Sequence, residues 1–449
     1  MASSTNTPNS LRSIASTYGF GTPFRRISSL FDAILIYLVS FDFNANNINQ
    51  YRILFIGIEM HDTHLPRSIY VLTGCIGVIG SNSLVLGPIA PEVALSLGTS
   101  VPTVMLATAA FGLGAAISAL LLARHIDRFG AHRVLKLTMA LLPLALMGSA
   151  LAPFVAILVA AQFLAGMATG VAVPAIYASA AATAPPGRES KTIGIVLTGW
   201  TLSMVAGVSL AAIVADAIHW RAVYGTIAVM AGLAWVALRT IPSRSKPSAA
   251  SAPLPLAALG LVGIKPLLLA CAGSMMAFYG VYGYLGDHLR HGLNQPISVN
   301  GLVALVYGLG FGGAALFDGL ARRITLARQL TIALLCVAST YLMLAWLGHS
   351  LVAILMLLGL LGLTNHFGIN LLIVRLTAID SARRGTIMGL HSAVTNLAVF
   401  AGTAGFGPLY ATHGFAVTAY AATALTLAAA LASTRQRREH TSSPKMTSS

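Results

Sequence analysis

The chain has 449 residues, 56% of them hydrophobic and only 9% charged, with a formal net charge of +15. Soluble domains carry about a quarter charged residues, so this composition excludes a soluble enzyme or binding domain and identifies a polytopic membrane protein. The apolar runs are continuous rather than alternating, which excludes a transmembrane β-barrel, and the basic residues lie between the runs, where they set orientation rather than bind nucleic acid.

Residues 1–67 read as a polar N-terminal extension, rich in Ser and Asn, with one apolar patch at 29–41 that is too short to cross a bilayer. Translation is expected to begin at Met60. From Ile69, apolar runs of helical length follow at 69–90, 101–122, 134–153, 155–180, 192–215 and 221–238, giving an N-terminal six-helix half over 68–240. A Pro- and Ser-rich break then marks a cytoplasmic linker over 241–262. Six further runs, 263–285, 298–317, 328–347, 351–374, 386–408 and 414–433, give a C-terminal six-helix half over 263–434, followed by a basic cytoplasmic tail, 435–449. The expected fold class is an all-α membrane protein with twelve transmembrane helices.

Lys and Arg collect at 124–136, 188–191, 239–246, 265, 322–328 and 375–384, against Arg221 and Arg290 alone on the other side. The positive-inside rule then places the first group and both termini in the cytoplasm of an inner or plasma membrane. The three cysteines, Cys75, Cys271 and Cys336, fall in apolar runs without metal-ligand spacing and read as small buried hydrophobes.

The densest charged island within the apolar body, Ala123-x-x-x-Asp127-Arg128-Phe129-Gly130-x-x-Arg133, turns the chain between its second and third runs. On the residues alone it is either a topological signal or a latch between helix ends, in which a carboxylate accepts from exposed N–H groups and pairs with Arg. It resembles the G-x-x-x-D-R-x-G-R-R loop of the major facilitator superfamily, departing from it at Ala123, Ala131 and His132. Ala161-Gln162-Phe163-Leu164-Ala165-Gly166 resembles that family's A-R-x-x-x-G, with Gln162 replacing Arg, and Pro185-Pro186-Gly187-Arg188 resembles the P-x-x-R loop. The stretch from Gly199 to Ala211, followed by His219-Trp220-Arg221, is similar to the proton-antiporter signature of the drug and sugar efflux branch, with Ser209 where that branch has Pro.

The resemblance implies two six-helix pseudo-symmetric bundles and alternating access, with Asp127, Arg128, Gly130, Arg133, Arg188, Gly199 and Gly207 in gating roles. A worn copy of the charged loop, Gly313 to Arg323, has Arg322 in place of the Asp. Small residues Gly199, Ser203, Gly207 and Ala211 share one face of the fifth helix, and Ala304, Gly308 and Gly312 one face of the eighth. In the resembled fold these two helices meet across the halves, so the rows imply either sliding or static close packing.

None of the twelve acidic residues lies in the middle of a predicted span. The candidate proton-coupling group is therefore His366, one helical turn from Asn370, because an imidazole changes charge in the accessible pH range. The helices that the resemblance places around a central cavity carry Asn82, Gln162, Tyr279, Tyr282, Asn365, His366 and Asn370. Amides and phenols suit a neutral or weakly polar solute rather than a multivalent anion. His391, Thr395 and Asn396 are expected near the cytoplasmic gate, and the cluster Asp287, His288 and His291 lacks a fourth metal ligand.

No phosphate-binding G-x-x-x-x-G-K-[ST] is present, so no nucleotide energy source is encoded in the chain. The expected function is export of a small organic solute by a monomeric secondary transporter in the lipid bilayer, by exchange with protons. No catalytic residue, enzymatic activity, cofactor or metal is assigned. Proton-coupled or facilitated uptake of a metabolite, and a non-transporting membrane sensor or scaffold, stay open as alternatives.

Overall fold

A computed structural model describes residues 66–122, 125–184, 189–242, 254–314, 324–380 and 383–441, which belong to one compact unit spanning 58–449. The expectations for the N-terminal extension and Met60, for Arg188, and for the worn copy from Ala315 to Arg323 lie outside the described residues.

The described residues are helical, without strands. The first half contains α1 (Arg67–Ser96), α2 (Val101–Leu121), the short α3 (His125–Phe129), α4 (Ala131–Ala150), α5 (Val155–Thr183), α6 (Glu189–Leu202), a π-helical turn (Ser203–Val208) running into α7 (Ser209–Ala217), and α8 (Trp220–Arg239). A 3₁₀ turn, Pro255–Gly260, precedes the second half, which contains α9 (Ile264–Asp287), α10 (Ser298–Gly313), α11 (Leu326–Leu347), α12 (Leu351–Thr377) and α13 (Arg384–Thr441). Ten of the described helices are long and apolar enough to cross a membrane, with α6 and α7 counted as one. Twelve crossings are reached by adding the shorter apolar α10 and by dividing α13 at Gly414, whose φ of 76° breaks the helix.

Local chemistry sets these boundaries. The Ser100 hydroxyl accepts from Thr103 N–H at the start of α2, and Ser350 does the same for Ala353 at the start of α12. Gly130 precedes α4 with φ of 84°, a left-handed conformation that a side chain would strain. Helix α1 runs six residues beyond the expected end at 90, through Pro88 and Pro91. These prolines remove only the bonds to Leu84 and Gly87, which a helix packed on all sides tolerates. Within the expected linker, Pro255 and Ala258 of the 3₁₀ turn are buried.

Lipid gives helices no hydrophobic reason to associate, so close approach must supply the contact energy. Helices α2 and α5 achieve it with Gly114, Gly166 and Gly170, each facing a backbone carbonyl of the other helix: Phe163, Phe111 and Ala115. Helices α10 and α12 repeat the device, with Gly310 against the Gly359 carbonyl and Gly362 against that of Tyr307. The two pairs hold equivalent places in the two sets of six helices. Cys75 and Cys271 are buried as expected, whereas Cys336 is exposed, because it lies on the outward face of α11.

A Cβ at Gly166 would overlap the Phe111 carbonyl, so Gly166→Leu forces α2 and α5 apart. Its expected outcome is loss of about 3 kcal/mol or more, measured as a fall in melting temperature of the purified protein. Gly194→Leu, at a position open to space, leaves the melting temperature unchanged.

Candidate functional site

Polar side chains inside the bundle fall into two groups. In the first half, Asn82 of α1 and Gln162 of α5 face each other and exchange both amide hydrogen bonds, each 3.2 Å. Gln162 also donates to Ser149 Oγ of α4 at 3.0 Å. Both amides are buried, and this trio ties three helices together.

The second group is aromatic and lies in the second half. Phe278 of α9 contacts Tyr279 and Tyr282 on its own helix and Tyr307 on α10, with ring centroids 5.2–5.3 Å apart. Tyr307 continues to Phe311, and Phe311 meets the edge of His366 on α12 at 5.0 Å. Polar contacts hold the series in register: Asn365 Nδ2 donates to Tyr307 Oη at 3.1 Å, and Asn370 Nδ2 lies 2.8 Å from His366 Nε2. Tyr279 joins the two halves, its hydroxyl 3.5 Å from Ser83 Oγ of α1.

The seven cavity residues expected from sequence are thus divided: Asn82 and Gln162 pair with each other, whereas Tyr279, Tyr282, Asn365, His366 and Asn370 belong to the aromatic series. Sequence reasoning missed Ser83, Ser149, Tyr307 and Phe311. Tyr307 and Phe311 lie on α10, outside the helices assigned to the cavity. An aromatic pair one turn apart on a Gly-rich helix is the signal that marks them.

Polar contacts close the end of the molecule that carries Arg221 and Arg290. Arg290 lies 3.6 Å from Glu92 at the end of α1, Ser298 N–H donates to Asp216 at the end of α7, and Asn300 Nδ2 donates to the Pro88 carbonyl at 2.6 Å. All three cross between the halves. Asp287 accepts from Tyr410 Oη and lies 2.7 Å from His291 Nδ1. His288 turns away to the Gly348 carbonyl and stacks on Phe415, so the three residues do not converge.

At the opposite, basic end, Arg128 and Arg133 are exposed, and the Arg128 guanidinium lies 5.4 Å from the Phe129 ring. The side chain of Asp127 lies outside the described residues. His132, one of the departures in the charged loop, is buried and lies 2.9 Å from the Ile241 carbonyl, tying α4 to the end of the first half. The pairing of small-residue rows needs correction. Gly199 and Gly207 pack on α1, against Thr73 and Ser81, not on α10. Helix α10 meets another face of the fifth span through Thr201, Met204, Val205 and Ser209, which lie against Gly312, Gly308 and Gly301. Ser209, in the position of the missing proline, donates to the Met204 carbonyl at 3.0 Å at the end of the π-helical turn, so the helix is irregular there without proline.

The Major Facilitator Superfamily matches residues 72–403. The chain is 26% identical over 373 residues to the uncharacterized MFS-type transporter YwfA of Bacillus subtilis, covering 81% of this chain and 90% of that protein. It is 27% identical over 142 residues to the probable sugar efflux transporter of Helicobacter pylori, covering 30% of this chain and 36% of that one. Among solved structures, a D-xylose-proton symporter superposes with a TM-score of 0.67 at 16% identity, covering 81% of this chain and 96% of that one. The family match spans most of the chain and the helical fold agrees with it: the protein belongs to the Major Facilitator Superfamily, as an integral membrane transporter and not an enzyme.

Proposed function

We propose that the protein exports a small, neutral or weakly polar organic solute across the cell membrane by alternating access, in exchange for protons, with both termini in the cytoplasm. The observation that carries this reading is the seam at mid-depth, where Ser83 of α1 meets Tyr279 of α9 beside the aromatic series that ends at His366. This seam joins the two halves away from either membrane surface, as a site exposed alternately to the two sides requires. Its side chains are phenols, amides and one imidazole, which recognise hydroxyls and apolar faces rather than multivalent charge.

The contacts of Glu92, Asp216 and Asn300 join the halves at the charge-poor end, the outer side under the positive-inside orientation. Export is supported by the resemblance of the Gly199 to Ala211 stretch to the antiporter signature and by the similarity to a probable sugar efflux transporter. Proton coupling accords with the D-xylose-proton symporter among the structural neighbours. His366 is the proposed proton carrier of the site. Asp127, Arg128, Gly130, Arg133 and Arg188 form the proposed latch at the basic end, and Gly199 and Gly207 let α6 and α7 move against α1.

In everted vesicles, a panel of sugars and neutral drugs presented under an imposed pH gradient, acid inside, is expected to contain a solute that accumulates and dissipates the gradient. Accumulation that ignores the gradient contradicts proton exchange. With that solute, His366→Gln flattens the pH profile of transport while equilibrium binding stays within about threefold. Asp127→Asn lowers transport at least about tenfold at normal expression, the effect expected where a latch contributes about 1.4 kcal/mol or more. Full transport by this variant reduces the charged loop to a topological signal.

A further inference from the structure

The seam between the halves holds a buried acceptor that no side chain or backbone donor satisfies. Asn300 stands in the first turn of α10 and is 3% exposed. Its Nδ2 donates to the Pro88 carbonyl of α1 at 2.6 Å and to the Gly286 carbonyl of α9 at 3.4 Å. These two carbonyls fix the orientation of the amide, because the reversed amide would set its oxygen against both of theirs. The side-chain oxygen, Oδ1, therefore points away from them, and it is buried without a hydrogen-bond donor among the described residues.

Asn300 lines a cleft together with Pro88 of α1, Tyr282, Leu285 and Gly286 of α9, and Val303 of α10. The cleft has about 10 Å³ of free volume, room for one water-sized group. Glycine brings its walls this close: a Cβ at Gly286 would lie 2.6 Å from the Gly87 carbonyl and 3.1 Å from Asn300 Nδ2. No charged side chain lines it. Tyr282 stacks on Phe278 at 5.3 Å, so one residue belongs both to this cleft and to the aromatic series at mid-depth.

We propose that Asn300 Oδ1 is an acceptor subsite for a single hydroxyl of the transported solute, and that the carrier thereby selects solutes bearing such a donor. A buried carbonyl oxygen left unpaired keeps its full desolvation cost, and an O–H group is a compact donor that removes it. Pro88 belongs to the first half, whereas Gly286 belongs to the second with Asn300. Parting of the halves therefore withdraws α1 and uncovers Oδ1, while the bond to Gly286 keeps the amide oriented. A solute seated against Tyr282 then reaches Oδ1 with one hydroxyl. A methylene in the same place leaves the acceptor unpaired, and a cation finds no carboxylate in the cleft. The inference rests on the reading of a neutral or weakly polar solute and names the group by which that solute is recognised.

The test is equilibrium binding to the purified full-length protein, without a pH gradient, of D-glucose, D-xylose and D-mannitol and of the monodeoxy analogues of each. At least one parent is expected to bind, with one of its deoxy analogues at least about tenfold weaker, and Asn300→Leu brings that ratio within about twofold by weakening the parent alone. Equal weakening of parent and analogue marks a purely structural amide and overturns the subsite. So does a ratio that survives the substitution, a parent matched by all its deoxy analogues, or binding by none of the parents. If Asn300→Leu fails gel filtration, Asn300→Ala supplies the same comparison. A ratio abolished by the substitution, together with solute movement that ignores a pH gradient, supports the subsite and removes the proton-exchange reading. Gradient-driven transport with an unchanged ratio does the reverse.

Discussion

A polar side chain inside this protein has no water to turn to, and the structure is arranged around that constraint. Leaving a buried amide or hydroxyl without a partner costs about 1–3 kcal/mol, comparable with a sizeable share of a domain's whole stability. Asn82 and Gln162 answer it by exchanging both hydrogen bonds across two helices, with Ser149 drawn in from a third. Asn365 answers it through Tyr307. These bonds contribute modestly as energies, averaging about 0.6 kcal/mol between membrane helices. Their larger effect is on register, because a helix rotated by one residue would leave both partners unpaired.

Close backbone approach operates between the halves as well as within them. Within each half, Gly166 faces the Phe111 carbonyl and Gly362 that of Tyr307. Between the halves, Gly112 of α2 faces the Asn396 carbonyl of α13, Gly286 of α9 that of Gly87 of α1, and Gly301 of α10 that of Ser209 of α7. The ion pair between Arg290 and Glu92, the hydroxyl pair at 3.5 Å and the Ser298 N–H on Asp216 add polar contacts to these approaches. Surface ion pairs contribute about 0–1 kcal/mol, so backbone approach carries most of the contact between the halves.

Much of the fold was legible in the sequence because hydropathy, caps and breakers act locally. Ser100, Ser350, Gly130 and Gly414 mark helix ends through their own backbone chemistry, and the order of apolar runs follows from length alone. The neighbours of each face were not legible. The row of Gly199 and Gly207 declares a close contact but not its partner, and the structure gives it to α1 rather than α10. Gln162 was readable as a polar residue at membrane depth, yet its partner lies 80 residues away. A buried amide is readily satisfied by another amide on a neighbouring helix, and sequence spacing does not say which helix that is.

Cys271 shows the same limit from the other side. In sequence it is a small residue among Leu and Ala, and nothing local distinguishes it from Cys75. Its contact with Thr395 arises because the α9 face carrying it lies against α13, more than a hundred residues later, where Thr395 Oγ1 stands 3.4 Å from its Sγ. Hydropathy along either helix is silent on that meeting. A small polarisable side chain is tolerable in an apolar run whether or not it finds a partner, so it leaves no local mark, and only the packing of α9 on α13 turns it into a contact between helices.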